Sequence, residues 1–221
     1  MNVQGYRENA ETMLSRAPLG TLLVAALAVA ASLAPPLGAI LIDLRGLAGG
    51  SEPWRILTGQ LVHGSLLHLL LNLLVFVPVA ALRERRVKTA GFLLEWAILA
   101  ASVAAAVRLF HGDWSTFCGL SGVVYGLLIL VLLDPGRRKQ PAGAAASRRW
   151  AHLAVLFLVL KSLAELAGGG WIIEQRGLEN ALGVVYLAGS HVGGAAAGLA
   201  IAAARFQARA ASQASMKPLA A

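Results

Sequence analysis

A chain of 221 residues in which 57% are hydrophobic and only 14% charged, with a mean hydropathy of +0.69, carries far less charge than the roughly one quarter found in soluble domains. The composition excludes a water-soluble globular fold and gives an all-α, polytopic membrane protein whose first partner is the lipid bilayer. The net charge of +8 gives no nucleic-acid partner, because the basic residues stand in short clusters between apolar segments and not along one face.

In chain order, residues 1–18 form a polar, cytoplasmic lead-in with Arg7 and Arg16, residues 19–204 a six-helix membrane domain, and residues 205–221 a cytoplasmic tail. The apolar segments lie at Leu19 to Leu41, Leu61 to Leu82, Ala90 to Phe110, Ser121 to Leu133, Trp150 to Ala167 and Ala181 to Ala204. The first is long enough to span and lacks the short apolar core and small-residue cleavage site of a signal peptide. Pro35-Pro36 ends or kinks it, and Ser51-Glu52-Pro53 is a turn before the second. Ala142 to Ala146 reads as loop, there is no internal repeat, and the single Cys118 rules out an intrachain disulfide. Fourteen basic residues fall in the lead-in, the even-numbered loops and the tail, against four in the odd-numbered loops, Arg45, Arg55, Arg108 and Arg176. By the positive-inside rule both termini are cytoplasmic and Ser121 stands at the outer end of the fourth segment.

That fourth segment organises the rest. Phe117 to Gly126 reads Phe-Cys-Gly-Leu-Ser-Gly-Val-Val-Tyr-Gly, with Ser121 between glycines at the mouth of an apolar helix that ends before Asp134-Pro135-Gly136. A helix from Ser121 to Leu133 is about 20 Å long, against a hydrocarbon core of ~30 Å, so Ser121 stops roughly 10 Å inside the membrane. Irregular backbone is tolerated at that depth only where protein or a water-filled cavity surrounds it, here including the loop Asp113, Trp114, Ser115 and Thr116.

A serine nucleophile needs a base and donors for the developing oxyanion. Of five histidines, His191 is the most telling, because Gly194 and Gly198 follow it on one helical face and small residues four apart let membrane helices approach closely. Gly122 and Gly126 do the same for the fourth helix, and Tyr125 lies one turn beyond Ser121 on the same face. His191 falls about ten residues, or ~15 Å, into the sixth helix, level with a recessed Ser121. On the second helix His68 and Asn72 share a face as i and i+4 and are the oxyanion donors, whereas His63, rotated away by ~140°, ties down the preceding loop. Other readings stand beside these: Gly-x-Ser-Gly also caps transporter helices, and a membrane histidine also serves as proton relay or as haem or metal ligand. The chain has no His-Glu-x-x-His and no clustered cysteines, so no metal is expected. Cys118 is a small loop residue, His111 and His152 sit at segment ends, and Arg55 beside Trp54 is an interfacial anchor.

Taken together, His63-x4-His68-x3-Asn72, Gly119-Leu120-Ser121-Gly122 with Tyr125, and His191-x2-Gly194-x3-Gly198 resemble the rhomboid family of intramembrane serine proteases, from Trp54-Arg55 to Gly198. The resemblance implies a six-helix bundle and a Ser121/His191 dyad with no acidic third member; no acid in the sequence is placed to orient His191. It also implies an oxyanion site from the Ser121 N–H, His68 and Asn72, walled by Gly119, with Tyr125 packed on His191 and no cofactor. The short chain and the pair Lys161/Glu165 on the fifth segment resemble the rhombosortase branch, which implies membrane-anchored substrates bearing a C-terminal Gly-Gly motif, a helix and a basic end, at a bacterial inner membrane. Tyr125 departs from the branch, which often has histidine there. General rhomboid specificity and a non-catalytic rhomboid-like binding protein are the alternatives.

Overall fold

A computed structural model describes residues 17–34, 52–111, 118–133, 144–168 and 188–215, and all regular structure among them is helical. The elements are α1 (Leu19–Leu33), a short α2 (Arg55–Thr58) running into a 3-10 turn (Gly59–Leu61), α3 (Leu66–Phe110), α4 (Ser121–Leu133), α5 (Ala144–Leu166) and α6 (Ala188–Ser215). Pro35-Pro36, the loop 113–116, the turn 134–136 and the stretch 181–187 assigned to the sixth segment lie outside the described residues.

The boundaries that differ from expectation each have a local cause. α1 stops at Leu33, with Ala34 already outside the helical region at φ −113° and ψ 83°, because the residue before a proline is pushed out of that region. The second segment begins at Leu66, not Leu61: Ser65 caps it, its hydroxyl accepting from the His68 N–H at 3.1 Å. His63 therefore lies outside the helix, and the rotation that separated it from His68 does not apply. The fourth helix runs from Ser121 to Leu133 as expected. α5 starts at Ala144 and takes in alanines assigned to a loop, since alanine is the best helix former. α6 continues to Ser215, because Arg205, Gln207 and Arg209 end the apolar run without ending the helix.

The second and third segments are one element, α3, and it is the only helix among the described residues long and apolar enough to cross a membrane. At 45 residues it would reach about 68 Å if straight, more than twice a hydrocarbon core. It is not straight. Lys88 adopts φ 66° and ψ 167°, a left-handed value costly to any residue with a Cβ. The reversal there brings Arg83 against Glu95, twelve residues on, in a two-pronged pair with both distances 2.7 Å. Arg205 of α6 joins the same carboxylate. Each arm, 66–87 and 89–110, is about 22 residues and ~33 Å, close to the thickness of a hydrocarbon core. Arg83, one of the fourteen basic residues assigned to the lead-in, even-numbered loops and tail, is helical and fully buried in the fold.

The core is apolar, with Phe76, Leu99 and Leu127 fully buried, and the outer surface is apolar as well. Leu66, Leu70 and Leu74 on α3 and Leu153, Leu156, Phe157 and Leu160 on α5 point outward, while Gln60, Arg83, Glu84, Glu95 and His191 are inside. Charged groups within a membrane face the protein interior and pair there. Glu84 illustrates the pairing: its carboxylate accepts from the N–H groups of Gly20 and Thr21 at 2.8 Å and from the hydroxyls of Thr21 and Thr89. It thus caps α1, whose own preceding residue, Pro18, makes no side-chain cap, and places negative charge at the positive end of the helix.

Candidate active site

Ser121 is the first residue of α4, where the leading N–H groups of a helix have no intrahelical partner and the dipole end is positive. Two hydrogen bonds hold the strand that delivers it: Gly119 N–H donates to the Gly59 carbonyl at 3.3 Å, and Leu120 N–H to His63 Nε2 at 3.5 Å. His63 Nε2 is therefore the acceptor nitrogen. Its Nδ1 lies 3.2 Å from the Leu61 carbonyl and 3.3 Å from Ser32 Oγ, so a neutral ring with the proton on Nδ1 satisfies every partner. His63 ties down its loop, as expected, and the start of α4 as well.

Gly119 adopts φ +107°, a conformation side chains rarely take, and a Cβ there would sit 2.7 Å from His68 Cε1 and 2.9 Å from Nε2. The Cε1–Nε2 edge of the His68 ring thus lies against the backbone just before Ser121, and the ring stands edge-on to His63 with centroids 4.9 Å apart. Its buried Nδ1 meets no hydrogen-bond partner among the described residues. Asn72 is buried beside it, and its amide donates to the His68 carbonyl at 3.0 Å. Replacing Gly119 with alanine combines an unfavourable φ with a clash against the ring, so Gly119→Ala should lower turnover by about 10²-fold, the effect of misplacing a reacting group by ~1 Å. Proteolysis of a reporter substrate by purified Gly119→Ala checks this; a rate within a few fold of wild type refutes the wall assigned to Gly119.

α4 and α6 run parallel and touch through their backbones. A Cβ on Gly122 would lie 2.6 Å from the Ser190 carbonyl oxygen, one on Gly194 1.8 Å from the Gly122 oxygen, and Cβ atoms on Gly126 and Gly198 2.7 Å from the Gly194 and Gly126 oxygens. Contact this close requires glycine on both helices. His191 is the fourth described residue of α6, and the stretch 181–187 on which its expected depth of ten residues depends lies outside the described residues. Ser121 and His191 are thus carried on adjacent parallel helices. The His191 ring stacks on Tyr125, one turn beyond Ser121, with centroids 3.9 Å apart and planes 10° from parallel. His111 closes α3 and accepts at Nε2 from the Gly189 N–H at 3.0 Å, holding the start of α6.

α5 supplies the group that sequence reasoning missed. Glu165 Oε2 lies 3.0 Å from His191 Nδ1, while Oε1 pairs with Lys161. An acid thus lies within hydrogen-bonding distance of His191, contrary to expectation. Lys161 also donates to the Tyr125 hydroxyl at 2.7 Å. The Lys161/Glu165 pair on an apolar helix was visible as i and i+4, but no spacing tells which residue of α6 that face meets. Arg55, read as an interfacial anchor, is buried and pairs with Glu52 at 2.8 Å. His152 is bonded within its own helix to the Arg148 carbonyl. No group of three or more metal-ligating side chains occurs among the described residues.

A comparison with known families matches residues 50–208 to a Rhomboid domain, well over half of the chain.

Proposed function

Because the chain belongs to the rhomboid family, whose members are intramembrane serine proteases acting on membrane proteins within the bilayer, we propose that Ser121 is its nucleophile and His191 its general base. The observation that carries this reading is the stacking of His191 on Tyr125, one turn from Ser121, on helices in backbone contact. His191 Nε2 takes the Ser121 hydroxyl proton as Oγ attacks the scissile carbonyl, then returns it to the departing amine. The Ser121 N–H at the helix start, the His68 ring against Gly119, and Asn72 stabilise the oxyanion. The six apolar segments span a bacterial inner membrane with both termini cytoplasmic, a reading supported by the fourteen-to-four charge asymmetry.

Substrates on this reading are single-span, C-terminally anchored exported proteins with a Gly-Gly pair beside the anchor, as in the rhombosortase branch. A substrate helix must leave its own hydrogen bonding to be cut, and each unsatisfied peptide group in hydrocarbon costs several kcal/mol. Glycine weakens the helix by about 1 kcal/mol per residue relative to alanine and fits a site walled by Gly119, Gly122 and Gly194. Tyr125, where that branch often carries histidine, favours general rhomboid specificity as the second reading.

A fluorophosphonate probe should label the wild-type chain and not Ser121→Ala; equal labelling of both would mean the serine assignment is wrong, and a non-catalytic binding protein would label in neither. Co-expression with a Gly-Gly substrate, then with its glycines replaced by leucine, separates the two specificities. Equal processing of the leucine version removes the Gly-Gly reading in favour of the general one.

A further inference from the structure

Four side chains from three helices close a ring: Tyr125 stacks on His191, His191 Nδ1 meets Glu165 Oε2, Glu165 Oε1 pairs with Lys161, and Lys161 Nζ returns to the Tyr125 hydroxyl. We propose that Glu165 is a positioning residue for His191, the acidic third member of a Ser121–His191–Glu165 arrangement on this chain. The role rests on the proposed function of Ser121 and His191 and extends it.

The argument begins with what a buried imidazole needs in order to act as a base. Its Nε2 must be free of hydrogen and turned to the serine, which requires the proton on Nδ1 and an acceptor to keep it there. Stacking on Tyr125 fixes the plane of the ring but leaves rotation within that plane and the choice of tautomer open. Glu165 settles both, since a carboxylate accepts and never donates while ionised. Lys161 supplies the counter-charge that a carboxylate within a membrane needs, and it pairs with Oε1 so that Oε2 is left for the imidazole. The division of labour between the oxygens excludes a purely structural i, i+4 pair. Such a pair needs only Oε1, whereas here Oε2 is turned across to another helix and lies at hydrogen-bonding distance from Nδ1. Lys161 has a second task, because its bond to Tyr125 ties the clamp on the face of the imidazole to the clamp on its edge.

In the chemical step Glu165 stays unprotonated. The Ser121 proton moves to Nε2 as the Oγ–carbon bond forms and leaves from Nε2 to the amine as the peptide bond breaks; the Nδ1 proton remains in its hydrogen bond to Glu165 throughout. Glutamine at 165 keeps the shape but presents an amide that can donate to Nδ1, favouring the unproductive tautomer. Partial neutralisation by Lys161 tempers the loss relative to the ~10⁴-fold that a neutral amide costs in a soluble triad, giving about 10²-fold.

The test uses the full chain in detergent micelles with a fluorophosphonate as probe. For Glu165→Gln the inactivation rate at saturating probe should fall about 10²-fold while the half-saturating concentration stays within about two-fold, because the probe's binding surface is untouched. Glu165→Asp should recover part of the rate. With nitrogen-15 histidine, a far-downfield Nδ1 proton resonance, assigned by its loss in His191→Ala, should be present in wild type and absent from Glu165→Gln. Labelling of Glu165→Gln within about two-fold of wild type overturns the positioning role, as does an Nδ1 resonance that survives the substitution. If Glu165→Gln does not fold, Glu165→Asp decides: a wild-type rate overturns the role, and a reduced rate with unchanged half-saturation upholds it. Failure of the wild-type chain to label defeats the serine-protease reading and this role with it. That outcome is distinct from the one in which wild type and variant label alike.

Discussion

Ser121→Ala and His191→Ala are each expected to abolish cleavage of a membrane-anchored substrate, with rates down by about 10⁴ to 10⁶-fold, and the double variant should be scarcely worse than either single one. The reason is that the two groups act in one event. Without the Ser121 hydroxyl there is no proton for His191 to take, and without the imidazole the hydroxyl is a poor nucleophile near neutral pH. Removing the second member of a unit that no longer functions has nothing left to remove. Asn72→Ala should differ in kind, costing at most about 10²- to 10³-fold, because it is one oxyanion donor among several and its amide is also bonded to the His68 carbonyl. Quantifying substrate and product for the four variants checks the pattern. Appreciable turnover by Ser121→Ala, or single-variant losses that multiply in the double variant, would rule out the pairing of these two residues.

Gly194→Ala should produce the largest structural effect of any single methyl group in the described fold. A Cβ at this position would fall 1.8 Å from the Gly122 carbonyl oxygen, and neither atom belongs to a side chain that could rotate away. Restoring ordinary contact requires α4 and α6, which carry Ser121 and His191, to separate by well over 1 Å. Overpacking of close-packed interiors costs about 1–3 kcal/mol and occasionally more. At roughly 3 kcal/mol the melting temperature should drop by about 6–12 °C for a chain of this size. Activity should fall further than stability explains, since misplacing reacting groups by about 1 Å costs on the order of 10²-fold. Gly91→Ala is the control: its Cβ would meet only the Val87 side chain, at 3.3 Å and beyond. Thermal melts and labelling rates of the two variants check the contrast, and a Gly194→Ala protein as stable and reactive as wild type would refute it.

How far the chain could be read depended on whether a feature was local. Ser121 to Leu133 was legible to the residue, because an uninterrupted apolar run is closed at one end by Gly119 and at the other by Asp134-Pro135-Gly136. The start of the second segment was not, since Leu61 and Val62 extend the hydropathy past a boundary set by the Ser65 hydroxyl. Glycines spaced by four showed that α4 and α6 approach closely, and the structure adds which carbonyl meets which Cα. Three pairings were beyond any spacing argument: Glu84 with the start of α1, Glu95 with Arg83 and Arg205, and Glu165 with His191. Each joins residues whose neighbourhood exists only once the helices are assembled. In a mostly apolar sequence the few charges are visible at once, but their partners are not.

The outward-facing leucines belong to α1, α3, α5 and, at Leu199, α6, while no residue of α4 is exposed. Lipid therefore presses on the scaffold and not on the element that carries Ser121. When a bilayer is thicker or thinner than a helix's apolar length, the helix tilts or the bilayer deforms around it, at a fraction of a kcal/mol per Å. Here that adjustment is made by the outer helices, and the depth of the serine is set by glycine contacts with α6 and by the bonds from Gly59 and His63. The short helix is thus insulated from hydrophobic mismatch, and its position is a property of the protein fold across membranes of differing thickness.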